Sequence, residues 1–176
     1  MALSKWTIGM SETDNTWFLP GPEDTDRLAS AVAGPLMELS REGPICVALQ
    51  GELGAGKTSW VRAMIQSSGY VGRVVSPTYT LLEPYSVGEF TVLHLDLYRL
   101  SDPGELEFLG LEDMVAPLTI ICAEWPERGE GVLPSPDLEL RFSYKGDGRQ
   151  LQVLPFSEPG RRWLETVARQ ARALGL

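Results

Sequence analysis

The densest concentration of chemistry in this chain is the run Gly51-Glu52-Leu53-Gly54-Ala55-Gly56-Lys57-Thr58-Ser59. Glycine-rich backbone can curl until successive N–H groups converge on one point, which is a site for phosphate oxygens. Lys57 adds a compact positive charge within reach of β- and γ-phosphates, and the Thr58 hydroxyl can join the shell of a Mg²⁺ ion. Gly51 through Ser59 is therefore the predicted nucleotide-binding set. The chain has only three lysines, and one of them fills this slot.

A phosphate cradle does no chemistry without a carboxylate to hold the metal and a group to orient water or substrate. Two apolar runs end in acids: "TVLHLD" at Asp96 and "TIICAE" at Glu124. Buried parallel strands that end together bring both carboxylates to the sheet edge where the cradle lies. Asp96 reads as the metal-side carboxylate. Glu124 reads as the group that orients water or completes the metal shell, and the sequence leaves the division between them open. The predicted metal set is Thr58, Asp96 and Glu124. Thr78, on the proline-stiffened loop "SPTYT", either senses the γ-phosphate as switch threonines do or bonds its own turn. With Lys57, Asp96 and Glu124 it completes the predicted catalytic set. His94 reads as a satisfied core histidine. Arg99 reads equally as positive charge near a γ-phosphate or as an ion-pair partner within the fold.

These residues need elements to hold them. Ile45 to Gln50 is an apolar run of the kind buried on both faces of a parallel sheet. Lys57 to about Ser68 follows as a helix that Gly69 ends. Upstream, "TWFLP" is a short strand, and Leu28, Val32, Leu36 and Leu39 recur at helical spacing. Asp24 or Thr25 is the expected cap of that helix, and Gly34-Pro35 the expected kink or break. "DPGELEFLGLEDM" reads as one or two helical turns, and "PERGEGVLPSP" as a loop. "LELRFSY" and "RQLQVLPF" alternate around "KGDG", a hairpin signal. A last helix, from about Gly160 to Leu174, carries Leu164, Val167, Ala168, Ala171 and Leu174 on one face. Its arginines 161, 162, 169 and 172 are read as a solvated face rather than a docking surface.

Alternating strands and helices predict an α/β layered domain of the P-loop NTPase type. Its central sheet is mostly parallel, with helices on both faces and a C-terminal antiparallel hairpin. Residues 1–15 read as a loosely ordered tail. Residues 16–176 read as a single domain, in which 138–176 form an edge hairpin plus the terminal helix.

The 176 residues suffice for one domain with a core, and an apolar fraction of 43% is ordinary for a soluble protein. A net charge of −9 disfavours broad direct contact with nucleic acid. Cys46 and Cys122 sit in apolar runs without a C-x-x-C, and there is a single histidine, so a zinc site or disulfide framework is not expected. No stretch approaches the roughly 18 apolar residues that cross a bilayer. The expected location is the cytoplasm, with no membrane contact.

Guanine selectivity in many GTPases rests on an Asn-Lys-x-Asp loop, but the one asparagine here is Asn15, far upstream. ATP is the expected nucleotide. A small-molecule kinase is the alternative, weakened because the one candidate lid loop carries a single arginine, Arg128.

Taken in order and at their spacings, "GELGAGKT", "SPTYTLLEPY", "HLDLYRL", "ELEFLGLED" and "EWPERG" resemble the bacterial TsaE (YjeE) ATPases over roughly Phe18 to Pro134. From Leu138 onward the likeness is only in outline. The resemblance implies a single-domain P-loop ATPase that uses ATP and Mg²⁺ and supports formation of threonylcarbamoyladenosine in tRNA. It implies TsaB and TsaD as partners, with tRNA met through that complex, and turnover of the assembly rather than the transfer itself as the outcome of hydrolysis. The family's phosphate loop falls on Gly51 to Thr58, its switch threonine on Thr78, its strand-end aspartate on Asp96 and its Glu-Trp pair on Glu124 and Trp125.

Overall fold

The structure is a computed structural model and describes residues 15–176. Seven strands share one sheet: β1 (Thr16–Leu19), β2 (Ile45–Gly51), β3 (Leu82–Val87), β4 (Phe90–Asp96), β5 (Thr119–Glu124), β6 (Leu138–Lys145) and β7 (Gly148–Pro155). Their spatial order is β1-β7-β6-β2-β5-β4-β3. The interior strands β6, β2, β5 and β4 run parallel. Antiparallel partners close both ends, β3 on β4 and, at the far side, β7 on β6 with β1 outside it.

The alternation of each strand sorts the core into two layers. Ile45, Val47, Leu49, Val92, Ile120, Cys122, Leu138 and Leu140 pack with the three long helices, α1 (Pro22–Leu39), α2 (Lys57–Ser67) and α5 (Glu158–Leu174). On the other face Cys46, Leu93, Leu95, Ile121 and Ala123 pack with Leu106 of α3 (Gly104–Phe108) and Leu111 of α4 (Leu111–Met114), and with loop residues such as Leu97, Leu100, Val132 and Leu133. Helices thus cover both faces, unequally. Both cysteines are buried free thiols, Cys122 in one layer and Cys46 in the other.

Several local expectations are revised. α1 runs unbroken through Pro35, because Leu28, Ala29, Val32, Ala33, Leu36 and Met37 all bury on one side of it and hold the helix across the missing N–H. Its cap is Gly21, one residue before Pro22, and Asp24 acts from inside the first turn, where its Oδ2 accepts from Gly21 N at 3.0 Å. The hairpin β6–β7 is antiparallel, as anticipated, but it does not form the edge: β6 lies beside β2 and β1 covers β7. The loop after β5 contains a 3₁₀ turn, Pro126–Gly129.

Of the expected loose tail, residues 1–14 lie outside the described residues. Asn15 is buried, and its carbonyl accepts from Val153 N at 2.9 Å. In α5 the buried stripe centres on Trp163, which the apolar spacing did not single out. Its indole N–H donates to the Val32 carbonyl at 3.1 Å and ties the last helix to α1. Arg162 of α5 pairs with Glu42 at 2.5 Å on the exposed side.

Candidate functional site

The site grows from the C-terminal ends of the parallel strands, on the face that α2 covers. β2 ends at Gly51, the chain loops through residues 52–56, and α2 starts at Lys57. Gly51 sits at φ 141°, and a Cβ there would lie 2.3 Å from the Phe142 carbonyl oxygen of β6. Gly56 caps α2 at φ 116°, a left-handed conformation that costs glycine least. Both glycines are therefore demanded by backbone geometry, and the loop is pressed against β6.

Lys57 is 4% exposed. Its Nζ donates to the Gly51 and Glu52 carbonyls at 2.6 and 2.9 Å and lies 4.2 Å over the Trp125 ring. Burial pulls its pKa below the ordinary lysine value, while Glu124, Asp96 and Glu127 act in the opposite direction.

Asp96 and Glu124 are register partners on β4 and β5, and both are buried. The Thr58 hydroxyl lies 2.8 and 3.0 Å from the two Glu124 carboxylate oxygens. Asp96 accepts from the Thr78 hydroxyl at 2.6 Å through Oδ2 and from Tyr98 N at 3.1 Å through Oδ1. Ser76 reaches Thr78 at 2.7 Å. Lys57, Thr58, Ser76, Thr78, Asp96, Tyr98 and Glu124 line one cavity of about 220 Å³, together with Leu53, Gly54, Gly56, Ser59 and Trp125. Among the nine residues read as nucleotide-binding, Ala55 is fully buried, whereas Leu53 is 70% exposed.

The structure thus brings the predicted catalytic and metal residues together in one place. It adds His94 and Tyr98, which the sequence reading did not place there, and gives a position to Trp125, named above only as part of the family's Glu-Trp pair. His94 is fully buried, but it is not a satisfied core residue: Nε2 contacts Glu124 Oε1 at 2.8 Å and Nδ1 has no partner. The signal was present in the period of two, since His94 and Asp96 must share a strand face. Nothing local indicated that the neighbouring strand would set Glu124 beside it. Trp125 adopts φ 58°, a strained conformation for a bulky residue, and turns its ring under Lys57. Tyr98 packs on Trp125 with ring centroids 5.1 Å apart. Arg99 does not line the cavity; its guanidinium carbon lies 4.5 Å from the Tyr79 ring centroid.

Among the described residues no three His, Cys, Asp or Glu side chains converge as a self-sufficient metal centre. The hard oxygen donors present, the Thr58 hydroxyl and the Asp96 and Glu124 carboxylates, suit a Mg²⁺ ion that takes its remaining ligands from phosphates and water.

The family model of the threonylcarbamoyl adenosine biosynthesis protein TsaE matches residues 19–151. The match therefore continues past the segment that carried the motif resemblance and into β7. A Haemophilus influenzae tRNA threonylcarbamoyladenosine biosynthesis protein TsaE is 40% identical over 146 residues, covering 83% of this chain and 92% of that one. A Bacillus subtilis protein of the same description is 30% identical, covering 84% and 87%. The solved structure of Bacillus subtilis YdiB superposes with a TM-score of 0.67 at 23% identity, over 88% of this chain and 93% of that chain, and shares the fold.

Proposed function

The chain belongs to the TsaE family, and on that premise we propose that it is an ATP-binding, slowly hydrolysing accessory factor. In this reading it acts in the cytoplasm and supports threonylcarbamoyladenosine modification of tRNA by a TsaB–TsaD assembly. The observation that carries the proposal is the convergence of Lys57, Thr58, Thr78, Asp96 and Glu124 on one cavity at the end of the parallel strands.

The phosphate chain is held by the backbone of the 51–56 loop and the N-terminus of α2. Lys57 exchanges its bonds to the Gly51 and Glu52 carbonyls for β- and γ-phosphate oxygens. Thr58 and Asp96 would hold Mg²⁺, which when bound screens the phosphate charge and favours loss of the γ-phosphoryl group. Glu124, relieved of the Thr58 hydroxyl, accepts a proton from the attacking water while His94 keeps its carboxylate aligned. Thr78 moves from Asp96 toward the γ-phosphate side and orders the 76–80 loop, so that loop order reports the state of the nucleotide to a partner. A chain with net charge −9 meets tRNA through partners that present it.

The test is phosphate release from Mg-ATP by the protein alone and with TsaB, TsaD and tRNA. Slow release that the assembly changes, and that Lys57→Ala abolishes, is the expected result. Phosphate appearing on an added metabolite, with no response to TsaB–TsaD, would instead establish a small-molecule kinase.

A further inference from the structure

Four of the five sequence motifs give residues to the cavity, and "ELEFLGLED" gives none. That motif forms α3, a corner at Gly110 and α4, on the sheet face opposite the long helices. Half of it anchors the corner. Leu106 and Leu111 are buried, Leu109 packs against the same layer, and Gly110 at φ 67° makes the bend between the two turns. The other half faces solvent. Phe108 is 93% exposed, whereas the other exposed phenylalanines, Phe156 and Phe18, are 50% and 44% exposed. Scattered surface apolar residues are ordinary. Here, however, the chain is pinned on both sides of a ring that contributes almost nothing to its own fold. Such a ring is stabilised when a second surface covers it.

The charges around the ring say what kind of surface that is. Glu107, Glu112 and Asp113 are exposed, and among the described residues no ion pair includes them. Asp102 and Glu105 are instead occupied by their own backbone. Glu105 Oε1 accepts from Ser101 N and Asp102 N at 3.1 and 3.0 Å, and Asp102 Oδ1 accepts from Gly104 N at 2.7 Å. Between Arg99 and Arg128 the chain has no Lys, Arg or His. Three uncompensated carboxylates repel a phosphate backbone, and they repel the same surface on a second copy of the chain. They complement an apolar pocket rimmed by Lys or Arg. The corner is also joined to the nucleotide site. β4 ends at Asp96, whose Oδ1 accepts from Tyr98 N at 3.1 Å, and Leu97 and Leu100 then bury in the same layer as Leu106.

We propose that the α3–α4 corner is a docking surface for a protein partner. Phe108 seats in an apolar pocket of that partner, and Glu107, Glu112 and Asp113 face basic side chains around it. The proposal rests on the accessory-factor reading above, and the partner it commits to is the TsaB–TsaD assembly.

The experiment is biolayer interferometry of the full chain against the TsaB–TsaD complex in Mg-ATP, at low and at physiological ionic strength. Calorimetric titration of each variant with Mg-ATP alone accompanies it. Phe108→Ala is expected to weaken association roughly 20-fold or more, as loss of a buried aromatic anchor does. Phe156→Ala, a matched change on the β7–α5 connection, should stay within about twofold of wild type. Glu107→Lys combined with Glu112→Lys should slow association roughly tenfold at low salt and flatten its salt dependence. None of these residues lines the cavity, so every variant should bind Mg-ATP within about twofold of wild type. Unchanged association in Phe108→Ala would overturn the proposal, as would a loss that Phe156→Ala matches. Association lost in step with Mg-ATP affinity would also overturn it and make the corner a brace for Asp96. Binding of tRNA by the isolated chain that Phe108→Ala abolishes would overturn it in favour of base stacking. A wild-type chain that does not associate with TsaB–TsaD would overturn the accessory-factor reading and this occupant with it, a result distinct from any variant's.

Discussion

Replacing His94 with leucine separates a packing role from a positioning role. His94 fills a fully buried site and makes one hydrogen bond, Nε2 to Glu124 Oε1 at 2.8 Å, while Nδ1 is unpartnered. Leucine has similar bulk, so no large cavity opens. Removing a bond to a charged group costs about 1.5–3 kcal/mol, and removing the unpartnered Nδ1 returns about 1–3 kcal/mol. The two largely cancel, and the unfolding free energy should move by no more than about 2 kcal/mol.

Catalysis has no such offset. Once the Thr58 hydroxyl has left Glu124 for the metal, His94 is the partner that keeps the carboxylate aligned, and the leucine variant lacks it. If about 1.5–2 kcal/mol of alignment is lost in the transition state, kcat falls roughly 10- to 30-fold. KM for ATP should stay nearly constant, because His94 does not line the cavity. Urea unfolding and phosphate release at saturating Mg-ATP read the two effects separately. His94→Gln, whose amide can still donate to Glu124, should recover most of the rate. A kcat within about twofold of wild type in His94→Leu would refute the reasoning and return His94 to the core.

Three further outcomes follow from the geometry. Gly51→Ala should destabilise the fold by about 1–3 kcal/mol and abolish nucleotide binding, because the new Cβ meets the Phe142 carbonyl at 2.3 Å; urea unfolding with nucleotide titration checks both. Thr78→Val removes the 2.6 Å bond to Asp96 and should spare ATP affinity while lowering the response of turnover to TsaB–TsaD; equal loss of binding would make Thr78 a brace of Asp96. Burial pushes the Cys46 thiol up to about 12 and the Cys122 thiol higher still, so neither supplies thiolate near pH 8. Iodoacetamide should therefore leave the native chain unlabelled at both positions by mass spectrometry, with labelling appearing in denaturant.

The parts of the fold that local chemistry specifies were legible in the chain. A glycine run that ends in Lys57-Thr58, between an apolar strand and a helix, reads as a phosphate loop. Two apolar strands ending in Asp96 and Glu124 imply one carboxylate-bearing edge if the sheet is parallel, and the register pairs those two residues. What stayed hidden depends on which strand lies beside which. The alternation of "LELRFSY" is the same whether its strand lies at an edge or, as found, beside β2 in parallel, and "TWFLP" carries no mark that it caps β7. The packing of Arg149 against Gly56 stayed hidden for that reason: it exists only because the hairpin stands next to the phosphate loop. His94 was misread because the sequence shows its own strand face but not the acid on the neighbouring strand. Pro35 signals a break locally, and the burial of Leu36 and Met37 beyond it overrides that signal.

The central claim is that one buried carboxylate performs chemistry while the loop beside it performs binding. Nucleotide affinity and single-turnover hydrolysis measured together in Glu124→Gln and Lys57→Ala address it most directly. The account predicts that Glu124→Gln, which keeps hydrogen bonds to Thr58 and His94, binds Mg-ATP near the wild-type affinity and fails to hydrolyse it. Lys57→Ala should fail to bind. Hydrolysis persisting in Glu124→Gln, or binding lost in parallel with hydrolysis, would contradict the assignment of Glu124 as the group that acts on water.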